Sequence, residues 1–203
     1  DMDSSYVFKN EPTTNSSPKF AFVKGPVWNF GEQDMQQQIK KFVAQFPMDI
    51  ETIELGDSFS EAAKCHEIIM NGSISNSLSH YYNEDKSKLH PFTVNRIEAG
   101  LPVTAKEYID AIEKAKKMQQ ILKSIFTKFD AIVTPAATGQ APRDLMNTGN
   151  AIFNGYWTMM GVPAISLPVL KGKDGLPIGI QIITSWYKDA KLLDISNLIM
   201  EKM

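Results

Sequence analysis

The chain has 203 residues, 43% apolar, 22% charged and 10% aromatic, which is too apolar and too weakly charged for an intrinsically disordered protein. Lys+Arg 21 against Asp+Glu 23 leaves a formal net charge of -2, without the basic excess that binding nucleic acid through its phosphates requires. The single cysteine, Cys65, can form no disulfide within the chain and no thiol pair for zinc, and no apolar run approaches the length of a membrane span.

Residues 1–18 are polar and broken by Pro12 and Pro18, and read as a linker or surface crossover. Residues 19–203 hold the regular elements. The apolar run over 20–24, stopped by Gly25-Pro26, predicts a buried strand. Met35, Ile39, Phe42, Val43 and Phe46 recur at helical spacing and predict a helix over 32–46, ended by Pro47. Ile50, Ile53 and Leu55 predict a second strand. Ser58-Phe59-Ser60-Glu61 matches a capping box and predicts a helix burying Phe59, Ala62, His66 and Ile69. From 71 to 103 periodicity is weak and Ser, Asn and Gly are frequent, so short helices and loops are expected there.

A second capping box, Thr104-Ala105-Lys106-Glu107, opens a stripe from Ala105 through Tyr108, Ile112, Ala115, Met118, Leu122 and Ile125 to Phe129. It predicts one long helix lying on a core. Strands follow at 131–134, 164–167 and 178–184; the last two flank the loop Lys171-Gly172-Lys173-Asp174-Gly175, which suits antiparallel neighbours. A helix over 188–203 closes the chain. Apolar strands alternating with helices imply an α/β fold, a mixed β-sheet covered by helices on both faces.

Motifs for nucleotide binding (G-x-G-x-x-G, G-x-x-x-x-G-K-[ST]) and the G-x-S-x-G nucleophile turn are absent. Cys65 and His66 are adjacent, so on a helix they point about 100° apart and suit no common metal. Neither a metal nor a cofactor is expected, with His66 semi-buried and His80 and His90 on loops. Ser16-Ser17-Pro18-Lys19 has S-x-x-K spacing, but Pro18 interrupts any helix. Asn15-Ser16-Ser17 and Asn71-Gly72-Ser73 match the glycosylation acceptor pattern. A serine acting with His80 and Asp85 is a further reading, with nothing to position the serine.

Phe129-Asp130-Ala131-Ile132-Val133-Thr134-Pro135-Ala136-Ala137, with Ala141-Pro142 shortly after, resembles a strand and loop of the amidase signature family. The likeness continues through Thr148-Gly149, Phe153-Asn154, Trp157-Thr158, Gly161-Val162-Pro163-Ala164, Leu167-Pro168 and Gly175-Leu176-Pro177-Ile178-Gly179-Ile180-Gln181, then Asp189 and Leu192-Leu193. Upstream, Gly100, Thr104-Ala105, Tyr108 and Ala111 resemble the start of that family's long helix. Such proteins hydrolyse amides with a serine, a second serine on a cis peptide and a lysine, the serines lying in a Gly/Ser-rich stretch. No Gly-Gly-Ser-Ser occurs in this sequence.

The resemblance therefore implies the C-terminal portion of a serine amidohydrolase, which converts amide and water to carboxylate and amine or ammonia. This portion would supply sheet and one pocket wall but no catalytic residue. Thr134, Pro135, Ala136, Phe153, Asn154 and Trp157 are implied to lie nearest the substrate, with Asn154 or a carbonyl near Thr134 orienting the amide. The spacing of Phe153 and Trp157 reads equally as a core stripe. The alternative is a non-catalytic binding protein or pseudoenzyme derived from the same fold. Expected partners are a small-molecule amide, the missing N-terminal half of the same protein and a second copy in a homo-oligomer. Strands buried on both faces would be left with open edges without that half. The expected compartment is the cytoplasm.

Overall fold

The computed structural model describes residues 17–144 and 146–203. Most of the expected linker over 1–18, Ser16 of the S-x-x-K match and the Asn15 acceptor lie outside them. Five strands form one mixed sheet in the order β2-β1-β3-β5-β4: β1 (Phe20–Phe22), β2 (Ile50–Thr52), β3 (Ala131–Pro135), β4 (Ala164–Lys171) and β5 (Pro177–Ile183). β1 pairs in parallel with β2 and β3, whereas β5 runs antiparallel to both β3 and β4. The described residues also form six α-helices: α1 (Gln33–Ala44), α2 (Ala62–Asp85), α3 (Pro91–Gly100), α4 (Ala105–Ile125), α5 (Ile152–Met160) and α6 (Asp189–Glu201).

Every residue of β1 and β3 is buried, as their unbroken apolar runs require of strands covered on both faces. β4 differs from the expectation. Ala164, Ser166 and Pro168 are exposed while Leu167 is buried, because β4 is an edge strand with only one face on the core. A register shift between Leu167 and Leu170 then bends it.

The long helix α4 begins as expected. Thr104 Oγ1 accepts from the Glu107 backbone N–H, and the Glu107 carboxylate accepts from the Thr104 N–H at 2.9 Å. Ala111, Ala115, Met118 and Leu122 form its buried stripe, and the helix stops at Ile125 rather than Phe129. The other capping box does not form. Ser60 Oγ donates to the Asp57 carbonyl at 2.7 Å, and α2 starts only at Ala62 without a side-chain cap.

The largest departure lies between 71 and 103, where the sequence suggests short helices and loops but α2 runs for 24 residues. Its inner face there is polar and small: Asn71 and Ser75 are buried. A Cβ on Gly100 of α3 would be driven into the Asn71 carbonyl group and would lie 2.6 Å from Ser75 Cβ. Two helices thus touch backbone to backbone through residues that carry no apolar periodicity. Arg96 closes the crossing by donating to Asn71 Oδ1 at 3.3 Å, so Asn71 is not presented as a glycosylation acceptor. Correspondingly, His80 sits on a helix, its ring tilted against that of Tyr81, while His90 caps α3 by accepting from the Phe92 N–H. Asp85 accepts from both the N–H and the hydroxyl of Ser87. Five positions apart on α2, His80 and Asp85 cannot face a common serine.

Asp130, just before β3, ties the start of β1 to helix α6. It accepts from the Lys19 N–H at 2.9 Å and from Lys191 Nζ of α6 at 2.6 Å. Burial alone would raise this carboxyl, but the Lys191 ammonium and the Lys19 N–H outweigh it and hold Asp130 below the usual carboxylate range. A depressed folded pKa stabilises fully above the unfolded value, near 3.9, and the contribution drains away as pH falls through the folded one. Asp130→Asn is expected to cost about 1–2 kcal/mol at pH 7 in urea unfolding. The gap to the parent chain should shrink below about pH 3.

Candidate functional site

At the C-terminal end of β3 the chain opens a cleft of about 890 Å³. Its floor is the sheet. Register places Thr134, Gln181 and Ser166 side by side across β3, β5 and β4, on one face. Gly179 lets that face pack closely, since a Cβ there would lie 2.5 Å from Ser166 Oγ and 3.1 Å from Ala136.

Helix α5 walls the cleft. Phe153, Tyr156, Trp157 and Met160 face the core, and Gly161 ends the helix with φ 69°, a conformation suited to glycine. Asn154 and Thr158, on the outer side, line the cleft together with Trp157. The rim is the loop after β3. Glu32 donates its backbone N–H to the Thr138 carbonyl at 2.6 Å. Gln140 donates to Asp174 at 2.8 Å, and Asp174 pairs with Arg143 at 3.0 Å. The tip of the β4–β5 hairpin thereby holds the rim in place.

Of the six residues expected nearest the substrate, the cleft brings together Ala136, Asn154 and Trp157. Thr134 and Pro135 are buried in β3 and Phe153 is buried on the core side of α5, and none of them lines it. Trp157 does both, at 1% exposure. Beneath the wall, Thr134 Oγ1, Tyr156 OH and Trp157 Nε1 are buried and make no hydrogen bond among the described residues. Burial pushes the Tyr156 phenol far up, with the Thr134 and Trp157 side chains beside it pulling the other way, so it stays neutral at any physiological pH.

Sequence reasoning missed Gln181, which stands out as the one amide in an otherwise apolar strand (Ile178-Gly179-Ile180-Gln181-Ile182-Ile183). Its Nε2 donates to the Pro135 carbonyl at 3.2 Å, lies 3.4 Å from the Phe153 carbonyl and bonds Asn154 Oδ1. On the far side of α5 a second, mostly apolar cavity of about 580 Å³ is lined by His66, Ile69, Met70, Ile112 and Met159, and Thr158 reaches both. His66 packs on Gly155, where a Cβ would lie 2.6 Å from Nδ1. Burial and then Arg96 lower its pKa. Cys65 is buried beside it, its thiol pushed up chiefly by burial. Among the described residues no cluster of three or more His, Cys, Asp or Glu could hold a metal ion, and no helix is long and apolar enough to cross a membrane.

The family model for Amidase matches residues 4–193. The chain belongs to the amidase family. Among curated relatives, a glutamyl-tRNA(Gln) amidotransferase subunit from Aliarcobacter butzleri is 36% identical over 110 residues, 49% of this chain and 24% of that protein. The corresponding protein from Clostridium botulinum strain Langeland is 35% identical over 113 residues, 50% of this chain and 23% of that protein. Solved amidase-family structures share the fold. A crystal structure of an amidase superposes with a TM-score of 0.81 at 16% identity, covering 95% of this chain and 47% of that one. Kluyveromyces lactis allophanate hydrolase gives 0.72 at 19% identity, covering 92% and 32%. The chain thus spans less than half the length of these amidase-family proteins.

Proposed function

We propose that this chain is the C-terminal part of an amidase-family hydrolase that cleaves a carboxamide with water, supplying sheet and one wall of the substrate pocket. The observation that carries the reading is the cleft itself. It joins an apolar ring, Trp157, to a side-chain amide, Asn154, at the end of a central strand of an amidase-family sheet. An aromatic edge beside a neutral donor offers a small amide apolar contact and orientation. The nucleophile would come from a Gly/Ser-rich stretch outside these 203 residues, which would pair with the chain as its front half. A cytoplasmic protein that assembles through its sheet edges, with itself or with that half, fits the same reading.

The likeness to the glutamyl-tRNA(Gln) amidotransferase proteins supports a second, related reading in which the amide is a nitrogen donor rather than a waste bond. Both readings expect the chain alone to be inert. Incubated with a panel of aliphatic, aryl and amino-acid amides and a fluorophosphonate probe, it should release no amine or ammonia and take up no label. Restoring the upstream coding sequence should produce both. Stoichiometric labelling of a serine within the 203 residues would overturn the proposal. Continued inertness of a protein restored with a Gly-Gly-Ser-Ser stretch would favour the non-catalytic binding protein.

A further inference from the structure

Gln181 settles which way the Asn154 amide faces. Its Nε2 group lies against the carbonyl oxygens of Pro135 and Phe153. Carbonyl oxygens only accept, so the NH2 end of Gln181 must face them and its oxygen must not. That same NH2 group meets Asn154. An amide nitrogen cannot accept, so Asn154 turns its own oxygen inward to Gln181 and leaves Nδ2 on the cleft side. Gln181 is 4% exposed and sits on a strand paired on both edges, so this clamp is rigid. No side chain among the described residues takes a hydrogen bond from Asn154 Nδ2.

We propose that Gln181 is a positioning residue that holds Asn154 as a fixed donor into the cleft, where Nδ2 meets the carbonyl oxygen of a neutral carboxamide. The assignment rests on the amidohydrolase reading above and names the group that would orient its substrate. Charge at the cleft selects a neutral ligand. Glu32 and Asp174 balance Arg143 and Lys173, and Arg143 is already paired with Asp174. A carboxylate would lose part of its hydration there, and the one lining cation outside that pair, Lys173, is offset by Glu32.

The test uses the chain labelled with 15N at asparagine, titrated with benzamide and, separately, with benzoate. In the parent chain the Asn154 Nδ2 signals should lie away from the free-asparagine position and shift with benzamide and not with benzoate. Gln181→Leu should move both signals to the free-asparagine position and weaken benzamide several-fold. Asn154→Asp keeps an oxygen facing Gln181 and replaces only the donor. This exposed substitution should leave the unfolding midpoint within a degree or two and weaken benzamide at least tenfold. Unchanged benzamide affinity in Asn154→Asp would overturn the proposal. So would Asn154 signals in Gln181→Leu that match the parent, or benzoate binding as tightly as benzamide. Failure to find amide hydrolysis in the longer protein would sink the functional reading alone, because none of these signals depends on turnover.

Discussion

Trp157→Ala is expected to lower the unfolding free energy by about 3–5 kcal/mol, read from urea or thermal denaturation. The indole is almost wholly buried, with its ring centroid 4.7 Å from that of Tyr156. Its removal loses both the transfer energy and the contacts of the space left behind. Because one edge of the ring borders the cleft, water can fill part of that space, which places the loss toward the lower end of the range. Trp157→Phe supplies the control. The indole Nε1 is buried without a hydrogen bond, so replacing it strands no partner. Phenylalanine should recover most of the stability while enlarging the cleft. In the longer protein the Phe variant should raise KM for aryl amides more than it lowers kcat. An alanine variant as stable as the parent would refute the burial on which both arguments rest.

Gly100→Ala is expected to cost about 3 kcal/mol or more, against the ordinary rule for helices. Replacing glycine by alanine in a helix usually gains up to about 1 kcal/mol. Here the added methyl meets the Asn71 carbonyl group, part of the α2 backbone, with Ser75 Cβ 2.6 Å away on the same helix. A backbone inside a helix cannot step aside as a side-chain tip can, so the clash reaches or passes the upper end of overpacking costs. Gly56→Ala serves as the comparison. Nothing lies within 4 Å of its Cβ position, and only its φ of +79° is unfavourable, which costs about 1–2 kcal/mol. Denaturation of the two variants side by side separates steric from conformational loss. Equal effects would show that α2 and α3 do not meet as closely as described.

Elements whose cause is local were legible in the sequence. Helix α4 could be read because Thr104 and Glu107 cap each other and its buried residues repeat every three or four positions. The β4–β5 hairpin was legible because Gly175 and the loop residues around it mark the turn. What failed was anything decided at a distance. The middle of α2 is helical because Asn71, Gly72 and Ser75 fit against α3 and α4, and small polar residues carry no hydrophobic period. Ser58-Phe59-Ser60-Glu61 had the pattern of a cap, but Ser58 lies inside the tight turn Asp57–Phe59, α2 starts only at Ala62, and the Glu61 carboxylate accepts from Lys114 instead. At the cleft, Asn154 and Trp157 could be singled out through resemblance. Gln181 could not be given its task, since that depends on the register of β5 between β3 and β4 and on α5 landing above it.

Helix α5 stands as a single-helix partition between two chambers, roughly 10 Å thick including side chains, with Thr158 common to both. Volume given to one chamber is therefore taken from the other. An effort to make the cleft accept bulkier acyl groups would find little room in its floor, where Gly179 and Ser166 are already in contact. The yielding direction is backwards, toward Ile69, Met70 and Ile112, where trimming side chains would let the partition recede. Replacements that broaden substrate range would then accumulate behind the helix, on residues that no ligand touches.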